Sequence, residues 1–110
     1  MEGKLDRRAI RAAFENAVNM SADELEAWLA TQQSRGVGQQ TESGESVGHA
    51  SGRRIVTLLR ARPEARSEDD YRHMRKTVGF IRRHRAQEPS NPVTSRWRYS
   101  LMNWGHDPLK

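Results

Sequence analysis

The amino-acid sequence predicts an all-α fold: a single-domain bundle of about five helices with a long Gly/Ser-rich loop. Apolar residues recur at spacings of three and four in several segments, which is the period of an amphipathic helix. No segment shows the sustained alternation of Val, Ile and Thr with polar residues that a half-buried strand would have. The length of 110 residues matches one domain, 1–110.

Two helices are predicted in the first third of the chain. The first covers residues 4–18, and its apolar positions are Leu5, Ala9, Ile10, Ala13, Phe14 and Ala17. The second begins at the segment SADE, in which Ser21 and Glu24 have the spacing of a capping box. It buries Leu25, Trp28 and Leu29, and Arg35–Gly36 ends it.

The long loop is predicted at residues 36–52, GVGQQTESGESVGHASG, because this stretch is rich in Gly and Ser. A loop of this length in a small domain is expected to be mobile or functional. A third helix then covers residues 53–62, with Ser51 as its cap and Pro63 as its stop.

The fourth helix, residues 68–87, is the longest, and Ser67 and Asp70 have capping-box spacing at its start. The fifth begins at Asn91–Pro92, where Asn caps and Pro takes the first helical position. Its apolar stripe is Val93, Trp97, Leu101 and Trp104. We expect both Trp residues in the core, and a hydrogen-bonded lock at His106 and Asp107.

The predicted core collects the large apolar residues of these stripes. It comprises Phe14, Leu25, Trp28, Leu29, Ile55, Leu58, Leu59, Met74, Val78, Ile81, Trp97, Leu101 and Trp104.

The charge of the chain is unevenly distributed. Residues 1–48 carry five Lys/Arg and eight Asp/Glu, a net charge of −3, whereas residues 49–110 carry fourteen and six, a net charge of +8. Such a basic half indicates an acidic partner, most commonly nucleic acid. Sixteen of the nineteen cations are Arg, which suits bidentate phosphate contacts. A GC-rich genome would explain the excess of Arg over Lys, but explains the clustering less well.

The strongest functional signal is the basic face of the fourth helix. Arg72, Arg75, Lys76, Arg82 and Arg83 fall within about 120° of each other on a helical wheel, and no acidic residue occurs from 71 to 87. With four further Arg residues, they form the predicted phosphate-contacting set: Arg53, Arg54, Arg72, Arg75, Lys76, Arg82, Arg83, Arg96 and Arg98. The alternative is that these residues form an ordinary solvated face.

These residues predict a non-enzymatic protein that binds nucleic acid, with double-stranded DNA of low sequence preference favoured over RNA. One alternative is a protein-interaction or oligomerisation module, in which the acidic helix 22–33 meets the basic helix of another copy. A second is a small enzyme or ligand-binding protein that uses the 36–52 loop. In that loop GESVG matches the nucleophile-elbow pattern, although the preceding strand is missing, and GESVGHASGRR could bind an anion at a helix start.

No cofactor or metal is expected. The pair His73 and His84 lacks the usual zinc spacing and a carboxylate ligand, and the chain contains no Cys. The absence of Cys fits an intracellular, cytoplasmic protein. No apolar run reaches membrane-spanning length.

Four segments resemble a family of small uncharacterised bacterial proteins, a domain of unknown function. They are NMSADELEAWL, GESVGHASGRRIV, MRKTVGFIRRHRAQ and RWRYSLMNWGHDP, and the closing SLMNWGHDP is the most specific. The resemblance covers the chain from about Phe14 to Lys110. Members are often labelled "DNA-binding protein", so the resemblance implies DNA as the partner. It implies no activity, cofactor or established site residues.

Overall fold

The computed structural model describes residues 5–38 and 42–110, in which the chain forms six α-helices, one 3-10 turn and no β-strand. The helices are α1 (Arg7–Ala17), α2 (Ala22–Leu29), α3 (Gln32–Arg35), α4 (Val47–Arg60), α5 (Glu68–Arg85) and α6 (Arg96–Asn103), and the 3-10 turn is Pro63–Ala65. The predicted all-α class is confirmed for these residues. None of the described helices is both long and apolar enough to cross a membrane.

A polar side chain caps the start of every α-helix. The capping residues are Asp6, Ser21, Thr31, Ser46, Ser67 and Ser95, and each accepts a hydrogen bond from the backbone N–H three residues later. Such a bond satisfies one of the N–H groups that a helix start leaves without an intrahelical acceptor. The two predicted capping boxes, Ser21 with Glu24 and Ser67 with Asp70, are both present.

The helices pack as two pairs joined by the last helix. Helix α1 lies against α5, and α2 lies against α4. Helix α6 contacts α2, α3, α4 and α5, so it sits where both pairs meet. The core is therefore shared among segments distant in sequence.

The predicted core is confirmed almost completely. Eleven of its thirteen residues are buried, whereas Trp28 and Leu59 are only partly buried. Both Trp97 and Trp104 belong to it, at 8% and 4% exposed. The buried apolar residues outside this set of thirteen are Ile10, Val18, Met20, Val37, Val56 and Tyr71.

The prediction of a long Gly/Ser-rich loop over 36–52 is wrong for the second half of this range. Helix α4 begins at Val47, with Ser46 rather than Ser51 as its cap. Gly52 is a packing residue, since a Cβ there would lie 2.5 Å from the backbone oxygen of Asn103. Glycine permits this close approach between α4 and α6. Residues 39–41 of the predicted loop lie outside the described part of the chain.

The predicted second helix is in fact two helices. Helix α2 ends at Leu29, and Thr31 caps the short α3 by accepting a hydrogen bond from the N–H of Ser34. The Thr31 hydroxyl also donates to the carbonyl of Trp28 at 2.7 Å. The Thr31 side chain thus binds backbone groups that would otherwise bond within one continuous helix, and the helix is interrupted here. The described residues therefore form six helices instead of the five predicted.

The predicted start of the last helix at Asn91–Pro92 is also wrong. Helix α6 begins at Arg96 with Ser95 as its cap, and Ser95 donates from both N–H and hydroxyl to the carbonyl of Pro92. Val93 is consequently outside the helix and 57% exposed.

The predicted lock after α6 is confirmed. Nδ1 of His106 lies 2.7 Å from the carbonyl oxygen of Ala17. Asn19 donates to the carbonyl of Asp107 and accepts from its N–H, at 3.0 and 2.8 Å. Gly105 makes the turn in the left-handed region, with φ of +86°. His106 and Asp107 thereby form hydrogen bonds with Ala17 and Asn19, at the end of α1 and just after it.

Candidate nucleic-acid interface

The nine predicted cations lie on three helices, α6 and its neighbours α4 and α5. Arg53 and Arg54 are on α4, five residues are on α5, and Arg96 and Arg98 are on α6. All are exposed except Arg98, which is partly buried. Their ion pairs divide them into two groups.

Four of the nine form ion pairs with the protein's own carboxylates. Arg53 donates two hydrogen bonds to Glu45, and Arg54 contacts Asp70 at 3.2 Å. Arg72 binds both Glu68 and Asp69, and Arg98 binds Asp107 through two nitrogens. Arg53 and Arg98 therefore contribute little uncompensated charge, since their carboxylate partners already face them in bidentate geometry.

The Glu45 carboxylate that pairs with Arg53 also contacts the ring of His49. The pKa of the Glu45 carboxyl is lowered to about 2, first by the hydrogen bonds from Arg53 and then by that from His49. This carboxylate stays ionised, so Arg53 remains neutralised by it.

The other five residues have no ion pair with any carboxylate in residues 5–38 and 42–110. They are Arg75, Lys76, Arg82, Arg83 and Arg96. The first four project from the exposed side of α5, whose opposite side buries the core residues Met74 and Ile81. We call these five residues the basic face.

The basic face extends around a groove between α5 and α6. Lys76 and Arg83 line this groove together with Ser100 of α6. Arg96 lies one turn before Ser100 and thus on the same side of α6. Two unpaired cations of α5 therefore line this groove.

On its other flank the basic face meets a residue that the sequence prediction missed. Arg82 lines a second groove, between α1 and α5, and Arg85 lines it as well. Arg85 is exposed and forms no ion pair in the described residues. It falls outside the 120° arc used to select the predicted set. Its signal in the sequence is its place in the stretch from 71 to 87, which contains no acidic residue.

Three histidines near this region are held in their neutral form. Burial, together with the smaller effect of the neighbouring charges of Arg54 and Lys76, lowers the pKa of His73 to about 4. Burial also lowers the pKa values of His84 and His106. At neutral pH the positive charge here therefore comes from Arg and Lys.

The geometry around Ser46 does not suit a nucleophilic elbow. Ser46 is 1% exposed, and its hydroxyl caps α4 by accepting from the N–H of His49. Both ring nitrogens of His49 face oxygens, of Glu45 and of the Leu29 carbonyl. Neither is placed to take a proton from Ser46.

The described residues contain no group of three or more His, Cys, Asp or Glu side chains that could hold a metal ion. The predicted anion site at GESVGHASGRR is weakened as well, because its cations Arg53 and Arg54 are paired with Glu45 and Asp70.

Residues 13–102 match the model of a family described as "Protein of unknown function (DUF3140)". The chain belongs to this family. The match includes all of α2 to α5 and most of α6, and with them all nine predicted cations. Membership in DUF3140 confirms the resemblance to an uncharacterised family. No curated protein and no solved structure matches the chain.

Proposed function

We propose that this DUF3140 protein binds double-stranded DNA, without catalysis and with low sequence preference, through the basic face. The supporting observation is the concentration of unpaired cations along α5. From Arg75 to Arg85 the helix rises by about 15 Å, over ten residue steps. Duplex DNA carries about one negative charge per 1.7 Å of its axis, so several phosphates lie within reach of this helix.

The side chains of the basic face suit phosphate contact more than base readout. They extend from a helix whose ends and buried side are anchored in the bundle, with α1 on one flank and α6 on the other. Contacts of Arg and Lys with phosphates position a protein on DNA but carry no sequence information. Low sequence preference is therefore the expected behaviour, and the binding is expected in the cytoplasm.

Self-association has less support as an alternative. It requires free acidic groups on α2, but Arg60 binds Asp23 and Glu26, and Lys110 binds Glu24. The acidic helix is thus largely neutralised within its own chain. A sizing column at low and high salt tests the alternative directly, since self-association without nucleic acid would favour it.

A matched pair of substitutions on α5 tests the proposal. Arg75→Gln and Arg72→Gln remove the same charge from the same helix, but Arg72 already binds Glu68 and Asp69. Arg75→Gln is expected to weaken duplex binding about three- to tenfold, and Arg72→Gln by less than about twofold, in fluorescence anisotropy at low salt. Equal effects would contradict a role for the unpaired cations. No measurable binding by the unsubstituted protein at low salt would end the proposal.

A further inference from the structure

A pocket of about 350 Å³ opens between the start of α4, α5 and α6. Its lining includes Gly48 from α4, Lys76, Phe80 and Arg83 from α5, and Trp104 just after α6. This volume lies in the range of small-molecule sites. No carboxylate lines it.

One wall of the pocket belongs to a column of parallel rings. Trp104 stacks on Phe80 with ring centroids 4.5 Å apart, and on His73 at 6.0 Å. Phe80 also stacks on His84 at 5.0 Å. His73 and Phe80 are two helical turns apart, a rise of about 10.5 Å, so Trp104 fits between them. Packing on both sides holds the Trp104 ring in one orientation.

The indole N–H of Trp104 is an unused hydrogen-bond donor in this wall. Trp28 donates to Oδ1 of Asn103 at 2.7 Å, and Trp97 donates to the carbonyl of His84 at 2.6 Å. Trp104 is only 4% exposed, yet its Nε1 donates to no acceptor in the described residues. A Cβ on Gly48 would lie 3.1 Å from this nitrogen, so Nε1 faces the side of the pocket that Gly48 lines. This nitrogen is not one of the buried side-chain atoms that lack a hydrogen-bond partner, so it is open to the space of the pocket and can donate there.

The charged groups of the pocket favour an anionic partner. Lys76 and Arg83 supply two unpaired cations, and the positive end of α4 reaches the pocket at Gly48. The amide of Asn103 is already used, since it binds Trp28 and Ser34 within the core. The remaining donors match the acceptor oxygens of a phosphate group.

We infer that this pocket binds the phosphate of a nucleotide-sized phosphate ester, with the Trp104 indole, Lys76 and Arg83 as donors. The volume exceeds that of inorganic phosphate alone, and the apolar edges of Phe80 and Val47 leave room for an organic group. The ligand is either a free mononucleotide or the phosphorylated 5′ end of a strand. The pocket shares Lys76 and Arg83 with the basic face, whereas Gly48 and Trp104 belong to the pocket alone.

NMR of the ¹⁵N-labelled protein tests the inference, with AMP and inorganic phosphate as probes. The three indole N–H signals are assigned with Trp104→Phe, which removes one of them. AMP is expected to shift the Trp104 signal and leave those of Trp28 and Trp97 nearly unchanged, and phosphate to act more weakly. No shift of the Trp104 signal by AMP up to about 10 mM, or by a phosphorylated strand, would overturn the inference.

Substitutions test whether AMP binds in this pocket, and oligonucleotides with different 5′ ends test which source of phosphate it takes. Gly48→Ala places a methyl group against the indole nitrogen and is expected to weaken AMP binding at least tenfold. Arg75→Gln, outside the pocket, should leave it within about twofold. Equal effects of the two would overturn the assignment to this pocket. Tighter binding of a 5′-phosphorylated oligonucleotide than of its 5′-hydroxyl form would identify a strand end as the ligand, and equal binding would identify the free nucleotide.

Binding measurements with duplex DNA and with AMP separate this inference from the proposed function. If duplex DNA fails to bind while AMP shifts Trp104, the proposed function fails alone. If the duplex binds and AMP does not, the pocket inference fails alone.

Discussion

Replacing Asn103 with Ala removes a buried side chain that joins α2, α3 and α6. Its Oδ1 accepts hydrogen bonds from Nε1 of Trp28 at 2.7 Å and from the hydroxyl of Ser34 at 2.5 Å, and its Nδ2 donates to the carbonyl of Ser34 at 3.0 Å. Asn103 is 1% exposed and Ser34 is fully buried. We expect this substitution to be among the most destabilising in the protein.

The magnitude follows from the groups left without partners. The hydroxyl and carbonyl that lose their partner belong to the fully buried Ser34, and each buried unsatisfied group costs about 1–3 kcal/mol. Trp28 is only partly buried, so water can replace its lost acceptor at small cost. The expected loss in the free energy of unfolding is therefore about 3–5 kcal/mol, or roughly 15–30 °C in Tm for a domain near this size.

Urea denaturation followed by circular dichroism at 222 nm measures this loss. Asn16→Ala is the matched control, because Asn16 is exposed on α1, and its substitution should change stability by no more than about 0.5 kcal/mol. A loss below about 1 kcal/mol for Asn103→Ala would refute the account of a buried hub.

Three further predictions concern stability. The pKa of His73 is lowered to about 4, so the unfolded chain binds a proton more readily between its ordinary pKa near 6.5 and pH 4. The free energy of unfolding should therefore fall by up to about 3 kcal/mol as the pH drops through that window, and His73→Gln should flatten the slope measured by urea titrations. Gly52→Ala would place a Cβ 2.5 Å from the backbone oxygen of Asn103 and should cost about 1–3 kcal/mol. In Gly79→Ala the new Cβ meets only the movable end of Arg83, and thermal melts should show a gain of about 0.5–1 kcal/mol.

The elements predicted correctly from the sequence are those specified by local signals. The capping boxes at Ser21 and Ser67 need only residues three positions apart, and the apolar stripe of α5 needs only its own periodicity. The stripe through Trp97 and Trp104 likewise placed both rings in the core.

The errors arise where distant residues decide the local structure. Gly48 and Gly52 look like loop residues, but they are helical because α6 packs closely against α4 at these positions. Asn91–Pro92 and Ser95 are both acceptable helix starts, and the structure uses Ser95. Composition alone cannot decide between such signals.

The prediction of the site was also limited by contacts between residues that are distant in sequence. The pairs Arg54–Asp70 and Arg98–Asp107 join residues 16 and 9 positions apart, and only the folded chain brings them together. The sequence could therefore identify the basic helix but could not separate its paired cations from the unpaired ones. The sequence also could not show that the indole N–H of Trp104 lacks an acceptor, because its place in the apolar stripe indicated only that the residue is buried.

The salt dependence of duplex DNA binding tests the central claim most directly. If the five residues of the basic face each neutralise one phosphate, the slope of log affinity against log salt should be about −4.5, and affinity should fall roughly 500-fold between 50 and 200 mM salt. The double variant Arg75→Gln/Arg82→Gln should make the slope shallower by about 1.8. Binding that does not change with salt, or a slope that the double variant leaves unaltered, would contradict the account.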